Sequence, residues 1–146
     1  MAVDIVSEVK IGRAVASVAD YASDPSNAPE WYANIDSVQW KTQPPVALGS
    51  RIAFVARFLG RQLSYTYEIV EFVPGERLVM RTAEGPFPME TTYTWAREEH
   101  DTTRMTLRNR GEPTGFSKLS SPFMAMAMRR ANRKDLDKLR TILENR

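Results

Sequence analysis

Cysteine is absent from these 146 residues and histidine occurs once. The first absence excludes disulfides, thiolate metal sites and a Cys nucleophile, and it is compatible with a reducing compartment. The second leaves His100 alone between Glu99 and Asp101 in a turn-like run. Without a second imidazole or a ligand spacing nearby, neither a metal site nor a Ser-His-Asp arrangement is expected, and no cofactor is implied. No run of about 18 apolar residues occurs, and Met1 to Ile5 shows no basic leader ahead of an apolar stretch, so the expectation is a cytoplasmic protein with no membrane insertion. Charge of one sign is scarce as well: 20 Lys and Arg nearly balance 18 Asp and Glu, for a net +2. That gives no reason to expect nucleic acid as a partner. Gly60, Gly75, Gly85, Gly111 and Gly115 are scattered as turn glycines, so no phosphate loop is formed.

What is present is length enough for one core with a ligand-sized hole in it, with residues 1–146 as a single domain. Val3, Ile5, Val9 and Ile11 alternate with polar residues and read as a first strand, with Ser7 on its buried side. Arg13 to Ala22 has helical spacing. Asp24 then caps a second short helix with Pro25 at its first position, which carries Trp31 and Tyr32 and ends before Ile35. Val38 and Trp40 suggest a second strand, closed off by Pro44-Pro45.

The stretch Arg51 to Phe72 folds onto itself. With Gly60-Arg61 as a two-residue turn, the inner rungs are Phe58/Leu63, Ala56/Tyr65, Phe54/Tyr67 and Ile52/Ile69, and the outer ones Arg57/Ser64, Val55/Thr66 and Ala53/Glu68. Val73-Pro74-Gly75-Glu76 has the composition of a type II turn. Across it, Met80 faces Ile69, Thr82 faces Tyr67 and Arg81 faces Glu68, with a bulge expected near Glu71-Phe72. A further hairpin about His100 pairs Trp95 with Met105, Tyr93 with Leu107 and Thr91 with Asn109.

From Ser117 or Lys118 to Leu143 the period becomes helical, with Ser120 or Ser121 and Pro122 as start signals. Met124, Met128, Asn132, Leu136, Leu139 and Leu143 form one stripe, flanked by Phe123, Ala127, Ala131 and Ile142. Arg129, Arg130, Arg133, Lys134 and Lys138 lie opposite. Asp135 and Asp137 interrupt that charge, which reads as a solvated face. Met126 falls off the stripe and is expected at the surface, where with Met124 and Met128 it would make a pocket lid or a small dimer contact unless it is core.

The order of strand, two small helices, antiparallel meander and long terminal helix resembles the helix-grip fold of the START/Bet v 1-like (SRPBCC) superfamily, in particular its polyketide cyclase/dehydrase-like branch. The residues that carry the likeness are Ser23-Asp24-Pro25 followed by Trp31, Gly49, the run Tyr67 to Leu78, Thr102-Thr103-Arg104, and Asp135-Leu136 with Leu139 to Glu144. The resemblance implies an α+β domain whose curved sheet of about seven strands wraps a long C-terminal helix. It also implies a cavity between the two that binds a hydrophobic, cyclic or aromatic molecule, either for catalysis or for carriage and sensing.

The inward phase of the sheet assigns Phe54, Tyr65, Tyr67, Met80, Thr82, Met89, Thr91, Tyr93, Trp95 and Asn109 to that cavity, with Met128 and Asn132 from the helix: a few polar groups among apolar and adaptable walls. The alternative is a packed core with tyrosine OH groups sent to solvent. Asn132 either meets the ligand or bonds a backbone group. Tyr67 and Glu84 are the acid/base candidates, Glu84 because a carboxyl group in an apolar pocket has a raised pKa; a surface carboxylate is its ordinary alternative. Three function classes stay open: an enzyme, a non-catalytic lipid or small-molecule carrier, and an interaction module. The expected assembly is a monomer or weak homodimer.

Overall fold

The computed structural model describes residues 3–112 and 121–146. Ser117, Lys118 and Ser120, named above as helix-start positions, and Gly115 lie outside the described residues. In chain order the elements are β1 (Val3–Ile11), α1 (Val15–Ala22), a 3₁₀ turn (Pro25–Asn27), α2 (Ala28–Trp31), β2 (Ile35–Trp40), β3 (Arg51–Phe58), β4 (Arg61–Val73), β5 (Arg77–Glu84), β6 (Met89–Arg97), β7 (Thr103–Gly111) and α3 (Ser121–Glu144). The strands form one antiparallel sheet in the order β1-β7-β6-β5-β4-β3-β2. This is the helix-grip α+β fold: the sheet curls and α3 lies in its concave side, against β1 and α2.

Period-two patterning becomes a buried inner face in most strands. Ile11, Ile52, Ile69, Leu78, Met105 and Leu107 are almost fully buried and share one core cluster with Leu136 and Leu139 of α3, while Ile5 is buried in a second cluster with Met124 and Met128. The outer face is laced by cross-strand ion pairs such as Arg51–Glu68 at 2.8 Å, Arg108–Asp4 at 2.6 Å, and Glu90 held between Arg81 and Arg110. Exposed pairs of this kind contribute little individually, about 0–1 kcal/mol. The five cationic residues expected on the outer side of α3 are all exposed, as is Met126. Phe123, expected to flank the buried stripe, is half exposed. Among the described residues no helix is long and apolar enough to cross a membrane.

Four expectations are corrected in their details. α1 begins at Val15 rather than Arg13, because Gly12 and Arg13 are used to fasten the end of α3. The Gly12 N–H donates to Glu144 Oε2 at 2.7 Å, and Arg13 Nη2 donates to the Glu144 carbonyl at 3.1 Å, satisfying a helix-terminal acceptor. The β3–β4 turn is Leu59-Gly60, not Gly60-Arg61. Both residues have positive φ (51° and 78°), the geometry of a type I′ turn, which places glycine second. The true rungs are therefore Phe58/Arg61, Ala56/Leu63, Phe54/Tyr65 and Ile52/Tyr67. A slip of two leaves every side chain on its expected face.

The β4–β5 register is as expected, with Tyr67 opposite Thr82 and Ile69 opposite Met80. Its bulge falls at Val70, one position earlier than anticipated, and turns Glu71 out to pair with Arg77 at 3.1 Å. A second bulge, at Ala83, was not anticipated. It puts Glu84 opposite Thr66 on the outer face. The Pro74-Gly75 turn has Gly75 at φ 78° and a 2.9 Å bond from Glu76 N–H to the Val73 carbonyl, as type II requires. The β6–β7 register matches rung for rung.

The left-handed Leu59 is costly for a residue with a Cβ, by about 1–2 kcal/mol, and asparagine tolerates that conformation best after glycine. Leu59 is exposed, so little burial is lost on replacing it. Leu59→Asn is expected to raise the unfolding free energy by about 0.5–1 kcal/mol, read as a higher urea midpoint with an unchanged slope.

Candidate ligand-binding cavity

Between the inner face of the sheet and α3 lies a partly enclosed cavity of about 170 Å³. One wall is aromatic. Phe54 on β3 and Tyr65 on β4 stack with ring centroids 5.5 Å apart, and Tyr67 stands edge-on to Phe54 at 5.9 Å and 5.0 Å from Tyr65. The register explains this cluster, since Phe54 and Tyr65 are a cross-strand pair and Tyr67 is the next inward residue. Met80 and Thr82 of β5 and Met89 and Thr91 of β6 continue the lining across the sheet. Tyr93, Asn109, and then Met128 and Asn132 from α3 complete the set of expected residues that the fold brings to one cavity.

Two expected residues are not there. Trp95 has the right phase, but it sits beyond Tyr93 inside the packed core that also holds Val18, Met105 and Leu139. The cavity ends before it because that end of the sheet is covered by α1 and the last turns of α3. Glu84 is exposed and does not line the cavity; the bulge at Ala83 reverses its phase, so it is a surface carboxylate and not an acid/base group of the interior. His100 is in an exposed turn. Among the described residues no group of three or more His, Asp or Glu is placed to hold a metal ion.

Two polar residues of the wall were not anticipated. Tyr32, just after α2, bonds the Tyr93 hydroxyl at 2.6 Å. Asp135 of α3 is 3% exposed, lines the cavity, and accepts the Ala33 N–H through Oδ1 at 3.0 Å. Burial pushes the Asp135 carboxyl up to about 6, against the favourable backbone bond from Ala33. Spacing carried the signal for Asp135: it lies three residues after Asn132 and seven after Met128, on the stripe. Tyr32 had no periodicity to reveal it, because α2 is only 4 residues long.

Burial also drives the phenols of Tyr32, Tyr65, Tyr67 and Tyr93 above their ordinary range, so near neutral pH they are uncharged O–H groups. The Asn132 Oδ1 accepts from another side chain, Asn109 Nδ2, at 3.1 Å, and its Nδ2 has no hydrogen-bond partner among the described residues. The site is thus an apolar, aromatic chamber with neutral donors and one carboxyl group whose charge changes near pH 6.

The sequence model of a family described as "Polyketide cyclase / dehydrase and lipid transport" matches residues 2–144. The chain belongs to that family. No curated protein matches it in sequence. Among solved structures, a START superfamily protein from Mycobacterium smegmatis superposes with a TM-score of 0.82 at 12% identity, over 97% of each chain. The Zhui aromatase/cyclase from a Streptomyces species gives 0.82 at 14% identity, over 100% of this chain and 96% of its own. The major latex-like protein 151 of Panax ginseng gives 0.75 at 12%, over 96% of each. At these identities the likeness is one of fold, and the family's chemistry has to be argued from the cavity.

Proposed function

We propose that the protein binds a hydrophobic, cyclic or aromatic small molecule between its sheet and α3. The observation that carries this reading is the cavity itself, lined by Phe54, Tyr65 and Tyr67 with adaptable Met80, Met89 and Met128 around them. An engineered apolar cavity of roughly 150 Å³ takes up benzene. The space here, about 170 Å³, therefore suits one substituted ring, with the rest of a larger molecule reaching the opening. Apolar burial supplies the affinity, at roughly 25 cal/mol per Å², and the neutral hydroxyls orient the guest.

The test is thermal unfolding against a panel of lipids, sterols, flavonoids and polyketide-like aromatics. A ligand of the folded state at a hundredfold excess over its Kd adds about 2.7 kcal/mol. The control is Ala131→Phe, which inserts a ring from α3 into the cavity that Ala131 lines. One chemical class is expected to raise Tm in the natural protein and to lose that effect in the variant. No shift with any compound, or a shift that survives Ala131→Phe, would remove the cavity as the site.

A second reading, cyclase- or dehydrase-like catalysis, is favoured by Asp135. A carboxylate that titrates near neutrality beside the cavity can take and return a proton next to a carbonyl, while neutral tyrosines donate to the oxygen where charge develops. An aromatase/cyclase among the structural neighbours agrees with that chemistry without carrying it. Its test is turnover lost with binding kept in Asp135→Asn, measured on whichever class the unfolding panel selects.

A further inference from the structure

Side chains from three strands and α3 form one hydrogen-bonded chain along the cavity wall. Tyr67 OH lies 3.2 Å from Thr91 Oγ1, Thr91 Oγ1 donates to Asn109 Oδ1 at 2.6 Å, and Asn109 Nδ2 donates to Asn132 Oδ1 at 3.1 Å. Its direction follows from counting protons. Thr91 has one hydroxyl proton and gives it to Asn109, so Tyr67 must be the donor to Thr91. Every bond then runs the same way, from β4 through β6 and β7 to the helix. The chain ends at Asn132 Nδ2, which is buried and has no hydrogen-bond partner among the described residues, on a residue only 5% exposed that lines the cavity.

A second spare donor lies on the same wall. The Tyr32 and Tyr93 hydroxyls carry two protons and share one bond, so one O–H is left to give. A buried donor without an acceptor is costly, and native proteins rarely leave one. We infer that Asn132 selects for ligands with a carbonyl-type acceptor oxygen on the ring system, taking that oxygen on its free N–H. This rests on the cavity being the binding site and specifies what is read there: an aryl or cyclic ketone is preferred over its hydrocarbon and its alcohol. The alcohol can accept the same bond, but it brings a proton into a wall already rich in donors.

Three probes of nearly one shape separate the possibilities: tetralin, α-tetralone and α-tetralol, titrated calorimetrically into the intact protein. α-Tetralone is expected to bind about tenfold more tightly than tetralin, the effect of one neutral hydrogen bond in a dry site, and more tightly than α-tetralol. Asn132→Leu is expected to reduce the ketone preference to within about twofold while tetralin still binds. Asn132→Asp, titrated at about pH 8 so that its carboxyl group is ionised, keeps the acceptor for Asn109 but has no proton to donate, and it should lose the ketone preference as well. The carbonyl stretch of bound α-tetralone should lie at lower frequency in the natural protein than in either variant.

A preference for the alcohol would mean that an acceptor reads the ligand, either a chain that runs the other way or the Asp135 carboxylate in the same wall, and it would overturn the inference. So would a ketone preference that survives both substitutions. If none of the three probes binds, the binding site itself is misplaced; tetralin binding without discrimination leaves the site intact and removes only the role of Asn132.

Discussion

Leu139→Ala is expected to cost about 3 kcal/mol of folding free energy and Met128→Ala only about 1, although the second removes a side chain of similar size from the same helix face. Leu139 is fully buried in the core cluster that joins β1, β6, β7 and α1. Its removal forfeits the transfer energy of its methyl groups and opens a void that close-packed neighbours cannot fill. Met128 is also buried, but it borders the existing cavity, so it has contact partners on fewer sides and fewer to lose. Against a total stability of about 5–15 kcal/mol for a domain, the first substitution removes a large share and the second does not. Urea unfolding of both variants decides the matter. Equal, large losses would mean that the interior is packed from end to end and that no ligand-sized space survives in solution.

The same division between a filled end and an open end explains what could be read from the chain alone. Alternation placed β1, β5, β6 and β7 and their partners, because one buried face leaves a single parity for each strand. It could not choose between hairpin registers that differ by two, since Phe54 faces an inward tyrosine in both. The choice belonged to backbone geometry at Leu59-Gly60. Parity also failed wherever an extra residue entered a strand: the bulge at Ala83 leaves no trace in hydrophobicity, and it alone moves Glu84 from the inside to the outside. Trp95 shows a different gap. Its phase was right, but where a cavity stops along a strand depends on what α1 and α3 cover, which is a tertiary fact. Asp135 lies on the buried stripe by spacing, but an acidic residue within a basic run normally belongs to solvent. Its burial is instead tied to the N–H of Ala33, and no local pattern announces that partner.

Asp135→Asn is expected to make the protein more stable at pH 7.5 and to leave it nearly unchanged near pH 4. The folded-state pKa of Asp135 is raised from 3.8 to about 6 by burial. A group raised in this way contributes stability that is present below its unfolded value and is lost as pH rises through the folded one, because above that point the native state must hold a buried charge. By linkage the loss accumulates between pH 3.8 and about 6 and amounts to roughly 2–3 kcal/mol at most. Asparagine does not titrate, and its oxygen can still accept the Ala33 N–H. The difference between the two proteins should therefore open with pH and level off above about pH 7. Carboxylates with lowered pKa values, such as Asp4 and Glu90, have the opposite pH dependence, but they are common to both proteins and cancel. Urea midpoints at pH 4, 6 and 7.5 provide the measurement. A difference that grows with pH identifies a carboxylate held at an energetic cost in the cavity wall, a cost that makes sense if its titration serves the bound molecule. A flat difference would mean that Asp135 reaches water through the cavity, and the catalytic reading would then lose the one group on which it depends.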